Sequence, residues 1–131
     1  MNLNSRNWKR DESLLVLRLY CHTPFGKLHS GNPEIIQLAE IIGRTPSAVA
    51  MKAANFAHLD PSVDRTGLSS VSRADRELWG DFLTDSNAVA LLAETLYAER
   101  VLPRIKREIE EPKMPIGPTE VMQEVSVRRV Q

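Results

Sequence analysis

The apolar positions in the first sixty residues repeat with the spacing of α-helices. One helix is predicted over 11–21, where two acidic residues suit the positive end of the helix dipole and the turn-forming segment 23–26 ends the pattern. A second helix is predicted from Asn32, a typical N-cap before a proline, to Gly43, a residue that favours helix termination. A loop around Lys27 is expected to join the two helices.

A third helix is predicted directly after the second. Gly43 and Arg44 alone separate the second helix from the next start signal, an N-cap threonine followed by proline at 45–46. The helix is expected over 46–57, and positions i, i+4 and i+7 give it one buried face, made of Val49, Ala53 and Phe56. The other positions are expected to face away from the core: Ser47, Ala50, Met51, Ala54, Asn55 and His58.

The rest of the chain is also predicted to be helical as far as residue 111. Ser72 with Asp75 three residues later resembles a capping box, and Pro103 is expected to kink or end the last long helix. The segment 112–131 opens with closely spaced prolines and is predicted to be a linker. The sequence therefore predicts an all-α protein with a tri-helical core over 5–58, a helical extension over 59–111 and a linker tail over 112–131.

Charge and cysteine content narrow the setting of this fold. Lys and Arg total 17, as do Asp and Glu, but residues 1–58 carry a net charge of +3 and residues 59–111 a net charge of −4. A basic surplus confined to one half is compatible with a polyanionic partner. Cys21 lies in an apolar run and is expected to be a buried, inert thiol. A polar N-terminus and the absence of a long apolar run favour a cytoplasmic location with no membrane partner.

Three helices with a tight turn before the third are typical of helix-turn-helix DNA-binding domains. A helix fits the major groove, and its N-terminal amide groups attract phosphate. The alternative is that the three amphipathic helices only pack together, because most helical hairpins bind nothing through their turn.

Particular residues make the DNA-binding interpretation more specific. Trp8, Glu12, Leu15 and Leu19, followed by the run 43–49, resemble the Myb/SANT-type three-helix domain. A longer set of segments is similar to the N-terminal region of a bacterial family of HNH restriction-type endonucleases, namely 6–8, 23–29, 32–36, 43–52, 55–57 and 59–61. This resemblance covers about 1–83 closely.

The resemblance implies a domain that delivers a nuclease to double-stranded DNA. Members of that family continue past a segment similar to Val127–Gln131 into the HNH fold, so the tail is expected to lead toward a nuclease domain that this chain lacks. The three histidines are not grouped with metal-ligating residues, and the sequence contains no P-loop or H-E-x-x-H motif. We therefore expect no enzymatic activity, metal or cofactor in this chain, and a divalent metal only in the nuclease domain.

The same interpretation assigns a set of DNA contacts. On the third helix and its turn, the residues expected to face DNA are Arg44, Thr45, Ser47, Met51, Lys52 and Asn55. Further phosphate contacts are expected from Arg6, Lys9, Arg10, Lys27 and His29. Ala50 and Met51 cannot form bidentate hydrogen bonds with base edges, which favours contacts with the DNA backbone. The alternatives are a SANT-like protein-interaction module, supported by the small apolar residues of the third helix, and a small DNA-binding regulator.

Overall fold

The computed structural model describes residues 7–63 and 71–110, and these residues form an all-α fold. Six α-helices follow one another in the order α1 Arg10–His22, α2 Pro33–Ile42, α3 Pro46–Leu59, α4 Arg73–Thr84, α5 Ser86–Leu96 and α6 Leu102–Glu110. A 3₁₀ turn at Phe25–Lys27 follows α1, and a π-helical turn at Tyr97–Val101 joins α5 to α6. The predicted fold class is therefore confirmed, whereas Arg6 and the predicted linker 112–131 lie outside the described residues.

The start signals of α2 and α3 act as predicted. Asn32 Oδ1 accepts a hydrogen bond from Glu34 N at 2.8 Å, and Thr45 Oγ1 accepts one from Ala48 N at 3.1 Å. Gly43 ends α2 with φ = 75°, a left-handed conformation that residues with a Cβ adopt at an energetic cost. The short turn between α2 and α3 is thus set by residues that satisfy the free helix ends.

Pro103 does not end the last helix, so this half of the sequence-based expectation is wrong, whereas a kink at this position stays a prediction. α5, the π turn and α6 form one continuous rod from Ser86 to Glu110, about 37 Å long at 1.5 Å per residue. A proline ring would clash with the carbonyl four residues before it in a regular α-helix. The π turn directly before Leu102 widens the helix at this point, which accounts for its continuation through Pro103.

Helix α1 lies at the centre of the fold and packs against α3, α4 and α5, while α2 packs against α3. The predicted inner face of α3 is confirmed, because Val49, Ala53 and Phe56 are fully buried. Trp79 of α4 stacks on Phe56 at 6.2 Å between ring centroids, so the second half of the chain contributes to the same core. Cys21, by contrast, is exposed on the outer side of α1, so the expectation of a buried thiol is wrong.

Candidate nucleic-acid interface

Arg44, predicted to face DNA, lies inside the fold. Arg44 is 4% exposed. Its guanidinium donates two hydrogen bonds to Glu12 Oε1, through Nη2 at 2.9 Å and through Nε at 3.3 Å. Nη2 also donates to the carbonyl oxygen of Asn7 at 2.8 Å, and the guanidinium carbon lies 4.2 Å from the centroid of the Trp8 ring. Arg44 therefore anchors the segment before α1 to the turn before α3.

Lys52 and Asn55 are also buried, on the flank of α3 that faces α4. Lys52 Nζ donates to Asp75 Oδ1 at 2.7 Å, and Asn55 Nδ2 donates to Asp75 Oδ2 at 3.2 Å. Lys52 Nζ additionally lies 4.6 Å from the Trp8 ring centroid. The Asp75 side chain is 1% exposed, so one buried carboxylate holds two residues of α3. We call Lys52, Asn55 and Asp75 the closed flank.

The assignment of Arg44, Lys52 and Asn55 as DNA contacts is therefore wrong for this fold. For Lys52 and Asn55 the physical reason is that α4 covers a second side of α3, whereas Arg44 is covered by the segment before α1 and by Glu12. A buried cation requires a carboxylate partner, and Glu12 and Asp75 supply these partners from within the chain. The helical periodicity of α3 identifies the face that packs on α1, but it does not show that α4 buries a second side of the same helix.

The other side of α3 is open to solvent. Ser47 is exposed and Met51 is 48% exposed, and Ala50 and Ala54 on the same side of the helix are half-buried. Thr45 is half-buried, and its hydroxyl is engaged in capping the helix rather than pointing outward as a free donor. We call Ser47, Ala50, Met51 and Ala54 the open flank. It offers one hydroxyl, one thioether and small apolar surface, consistent with shape-based or backbone contacts.

Lys9 lies beside the start of α3. Its backbone N–H donates to Glu12 Oε1 at 3.0 Å, and the same oxygen accepts hydrogen bonds from Arg44. Arg44 directly precedes Thr45, the N-cap of α3. The Lys9 residue is exposed. Arg10, the next residue, is exposed too, but its Nη2 pairs with Asp81 Oδ2 of α4 at 2.9 Å. The backbone of Lys9 is thus linked through Glu12 to the residue before the N-cap of α3, an end of the helix where the dipole attracts anions.

Lys27 and His29 occupy a different part of the surface. Both are exposed, and they line a shallow depression together with His22, Asn32 and Glu34. They precede α2, whereas Arg44 follows it, so about 15 Å of helix separates this depression from the turn before α3. The predicted contact residues therefore fall into an exposed group near the start of α3, an exposed group at the far end of α2 and a buried group.

Ion pairs between the two halves of the chain offset part of the uneven charge. Among the described residues, the pairs between a Lys or Arg and an Asp or Glu that join the two halves are Arg10–Asp81, Arg18–Glu94, Lys52–Asp75 and Asp11–Arg100, and Lys52–Asp75 is the buried one of these four. In three of these pairs the first half supplies the cation. The hydrogen bond from Arg18 lowers the pKa of Glu94 more than partial burial raises it, and a hydrogen bond from His22 adds to that lowering. The positive potential around residues 1–58 is consequently weaker than their net charge of +3 suggests.

The C-terminal end of α3 is fixed by a hydrogen bond to α1. Tyr20 Oη donates to Asp60 Oδ2 at 2.5 Å. Burial disfavours the ionised form of Asp60, but the hydrogen bonds from Tyr20 and from Ser62 outweigh it, and the pKa of the carboxyl falls below its usual range. Burial and the same hydrogen bond to the carboxylate raise the pKa of Tyr20 well above the ordinary phenol value. α3 is thus anchored at both ends, by Arg44 and by Asp60.

The sequence analysis placed Asp75 only in a capping box and missed its buried ion pair with Lys52, and it missed the contacts of Trp8 with Arg44 and Lys52. A signal for Asp75 was present, because it sits three residues after the N-cap Ser72 and three residues before the buried Leu78, which places it on the inner face of α4. Trp8 contacts two cations, an arrangement favoured by the negative face of an aromatic ring. Both residues organise the region around α3 without being exposed parts of it.

Comparison with known proteins yields no match: no family model, no curated protein and no solved structure is similar to this chain at a significant level. Among residues 7–63 and 71–110, no cluster of three or more His, Cys, Asp or Glu side chains could hold a metal ion. Within the same residues, no helix has the combination of length and apolar character needed to cross a bilayer.

Proposed function

We propose that the chain is a double-stranded DNA-binding module that targets an HNH-type nuclease, and that it contacts DNA through the open flank of α3 and the exposed cations beside it. The observation that carries this proposal is the position of Lys9. The Lys9 backbone binds the same Glu12 oxygen as Arg44, the residue that directly precedes the N-cap of α3, and the Lys9 residue is exposed. A cation next to an exposed helix N-terminus is a favourable arrangement for a phosphate group.

Within this proposal, DNA binding is mainly electrostatic and nearly independent of sequence. Lys9, Lys27 and His29 are exposed groups that supply phosphate contacts, whereas the open flank supplies only the Ser47 hydroxyl as a hydrogen-bonding group in the groove. Met51 fits an apolar contact such as a thymine methyl group. Arg44 is a positioning residue, which holds Lys9 in place rather than contacting DNA. The HNH setting rests on the sequence resemblance over about 1–83.

The test is a fluorescence-anisotropy titration of a short random-sequence duplex at several salt concentrations. We expect measurable binding at low salt, and we expect Lys9→Ala to lower affinity several-fold and reduce the salt slope by about one phosphate contact. The matched control is Arg107→Ala, which removes an exposed positive charge near the far end of α6. Equal effects of the two variants would contradict the assigned position, and no binding at low salt would contradict DNA binding itself.

The second candidate function is protein interaction, and the composition of the open flank favours it. Met51 is 48% exposed and lies between half-buried alanines, and methionine adapts readily to apolar partner surfaces. The nuclease domain implied by the resemblance is the natural partner to assay. In this case Met51→Glu abolishes binding to that domain, and the wild-type chain does not bind duplex DNA at low salt. Binding of duplex by the wild-type chain with the salt dependence described above would favour the first function instead.

A further inference from the structure

A cavity of about 300 Å³ lies between α1, α2 and the π turn that joins α5 to α6. Its volume is at the lower end of the range for small-molecule sites, so it fits a small metabolite rather than a nucleotide. The buried residues that line it are all apolar: Leu15, Leu19, Leu38 and Val101. The more exposed residues that line it carry polar groups: Arg18, His22, Glu34, Gln37 and Tyr97. The cavity therefore has an apolar base and a polar rim.

Arg18 is held in place on this rim by two neighbours. Its Nε donates to Glu94 Oε1 at 2.9 Å, and its guanidinium carbon lies 3.5 Å from the centroid of the Tyr97 ring. Its side chain is 20% exposed, and within the described part of the chain its terminal nitrogens Nη1 and Nη2 have no hydrogen-bond partner. A guanidinium that is stacked and paired in this way keeps further donors, in the planar geometry that a second carboxylate binds. Arg18 thus offers a preorganised site for an anionic group.

Glu34 places the opposite charge on the same rim, from the first turn of α2. The residue is exposed, and among residues 7–63 and 71–110 its carboxylate has no hydrogen-bond or ion-pair partner. A purely anionic ligand would be repelled by Glu34, and a purely cationic ligand would be repelled by Arg18. Because Glu94 also lies beside Arg18, the rim has no excess of positive charge. The lining is therefore complementary to a molecule that carries one charge of each sign next to an apolar group.

We propose that this cavity binds an aliphatic α-amino acid as its zwitterion. The ligand carboxylate binds the terminal nitrogens of Arg18, its ammonium group binds Glu34, and its side chain covers the apolar base. Such a ligand carries both charges and an apolar side chain on one carbon atom, which is the combination that the base and the rim require. The π turn contributes Tyr97 against Arg18 and Val101 in the base, and π turns recur at functional sites. This inference does not depend on the proposed DNA binding.

The test is an NMR titration of the isotope-labelled full chain with L-leucine and with two analogues that each lack one charged group. Isocaproate lacks the ammonium group, and isoamylamine lacks the carboxylate. We expect leucine to bind in the millimolar range, because it has few atoms, and to shift the amide signals around Leu15, Gln37 and Val101. Each analogue is expected to bind several-fold more weakly. No shift with leucine at high millimolar concentration, or an analogue that binds as tightly as leucine, would overturn the proposal.

Two variants test the roles of the charged groups, with circular dichroism to confirm that each is folded. Arg18→Gln is expected to weaken leucine binding about tenfold, because a charged hydrogen-bond donor is lost. Its matched control is Arg10→Gln, which also breaks an ion pair from α1 to a neighbouring helix but lies outside the cavity. Glu34→Gln breaks no described side-chain contact and is expected to weaken leucine binding several-fold without weakening isocaproate binding. Equal effects of the two arginine variants, or unchanged leucine binding by Glu34→Gln, would contradict the assigned site.

Discussion

The two flanks of α3 differ in chemistry although they belong to one helix. The closed flank carries Lys52 and Asn55 and is covered by Asp75, whose side chain is 1% exposed. The open flank carries Ser47 and Met51 and faces solvent. Polar and charged residues thus lie inside, and a largely apolar surface lies outside, the reverse of the usual arrangement. In this domain the charge of a residue is therefore a poor guide to whether it contacts a partner.

Positioning residues and candidate contact residues lie in different places around α3. Arg44 and Lys52 both contact the Trp8 ring, and each is neutralised by a carboxylate from another helix. Such residues hold α1, α3 and α4 in register. Lys9 carries the same charge on the exposed side of this cluster, where a phosphate group can reach it.

The largest expected effect comes from opening the closed flank with Asp75→Ala. This substitution leaves Lys52 as a buried charge without its carboxylate and removes the acceptor of Asn55, so we expect a loss of about 3–5 kcal/mol in the free energy of unfolding. Urea denaturation followed by circular dichroism measures the loss. The control is Asp81→Ala, which breaks the exposed pair with Arg10 and is expected to cost less than about 1 kcal/mol. Similar losses for both variants would mean that the flank is not closed.

A smaller effect is expected from Arg44→Lys, which keeps the charge but loses the planar guanidinium. Lysine cannot hold Glu12 and the carbonyl of Asn7 while stacking on Trp8, so we expect a loss of about 2 kcal/mol. Thermal unfolding measures the change. Arg10→Lys, an exposed substitution of the same kind, is expected to change stability by less than about 0.5 kcal/mol. A tolerated Arg44→Lys would show that any cation suffices at this position.

The smallest expected effect concerns the anchor at the C-terminal end of α3. Tyr20→Phe removes the hydrogen bond to Asp60 and is expected to cost about 1 kcal/mol near neutral pH. Because the folded pKa of Asp60 is lowered, its contribution is complete above the ordinary carboxyl pKa and is lost as the pH falls through the folded value. The stability difference between wild type and Tyr20→Phe should therefore narrow below about pH 4. A difference that stays constant with pH would contradict the role of an ionised Asp60.

The presence of α2 and α3 and the inner face of α3 were predictable from the sequence because they depend on local signals. Asn32, Gly43 and Thr45 satisfy helix ends through neighbouring backbone groups, and the spacing of Val49, Ala53 and Phe56 requires only one helix to be recognised. The caps of these helices and the spacing of apolar residues in α3 are the same whichever other helix packs against them.

The candidate site was predictable only in part, because burial of a cation depends on partners far away in the chain. Asp75 lies 23 residues from Lys52, and Glu12 lies 32 residues from Arg44. No local pattern reveals such pairs. The opposite net charges of the two halves were a signal of internal pairing as much as of an external polyanion, and Arg10–Asp81 and Arg18–Glu94 show that pairing. The exposure of Lys9, Lys27 and His29 agrees with the sequence-based expectation.

The most direct test of the account compares DNA binding by two variants that each remove one lysine charge. Lys52→Met with Asp75→Asn removes the buried pair, while the amide introduced at position 75 can still accept a hydrogen bond from Asn55, and Lys9→Ala removes the exposed charge. We predict that the folded double variant binds a random-sequence duplex with unchanged affinity and salt slope, whereas Lys9→Ala loses affinity and reduces the slope by about one. Weaker binding by the folded double variant, with Lys9→Ala unaffected, would contradict the division between the closed flank and the open one.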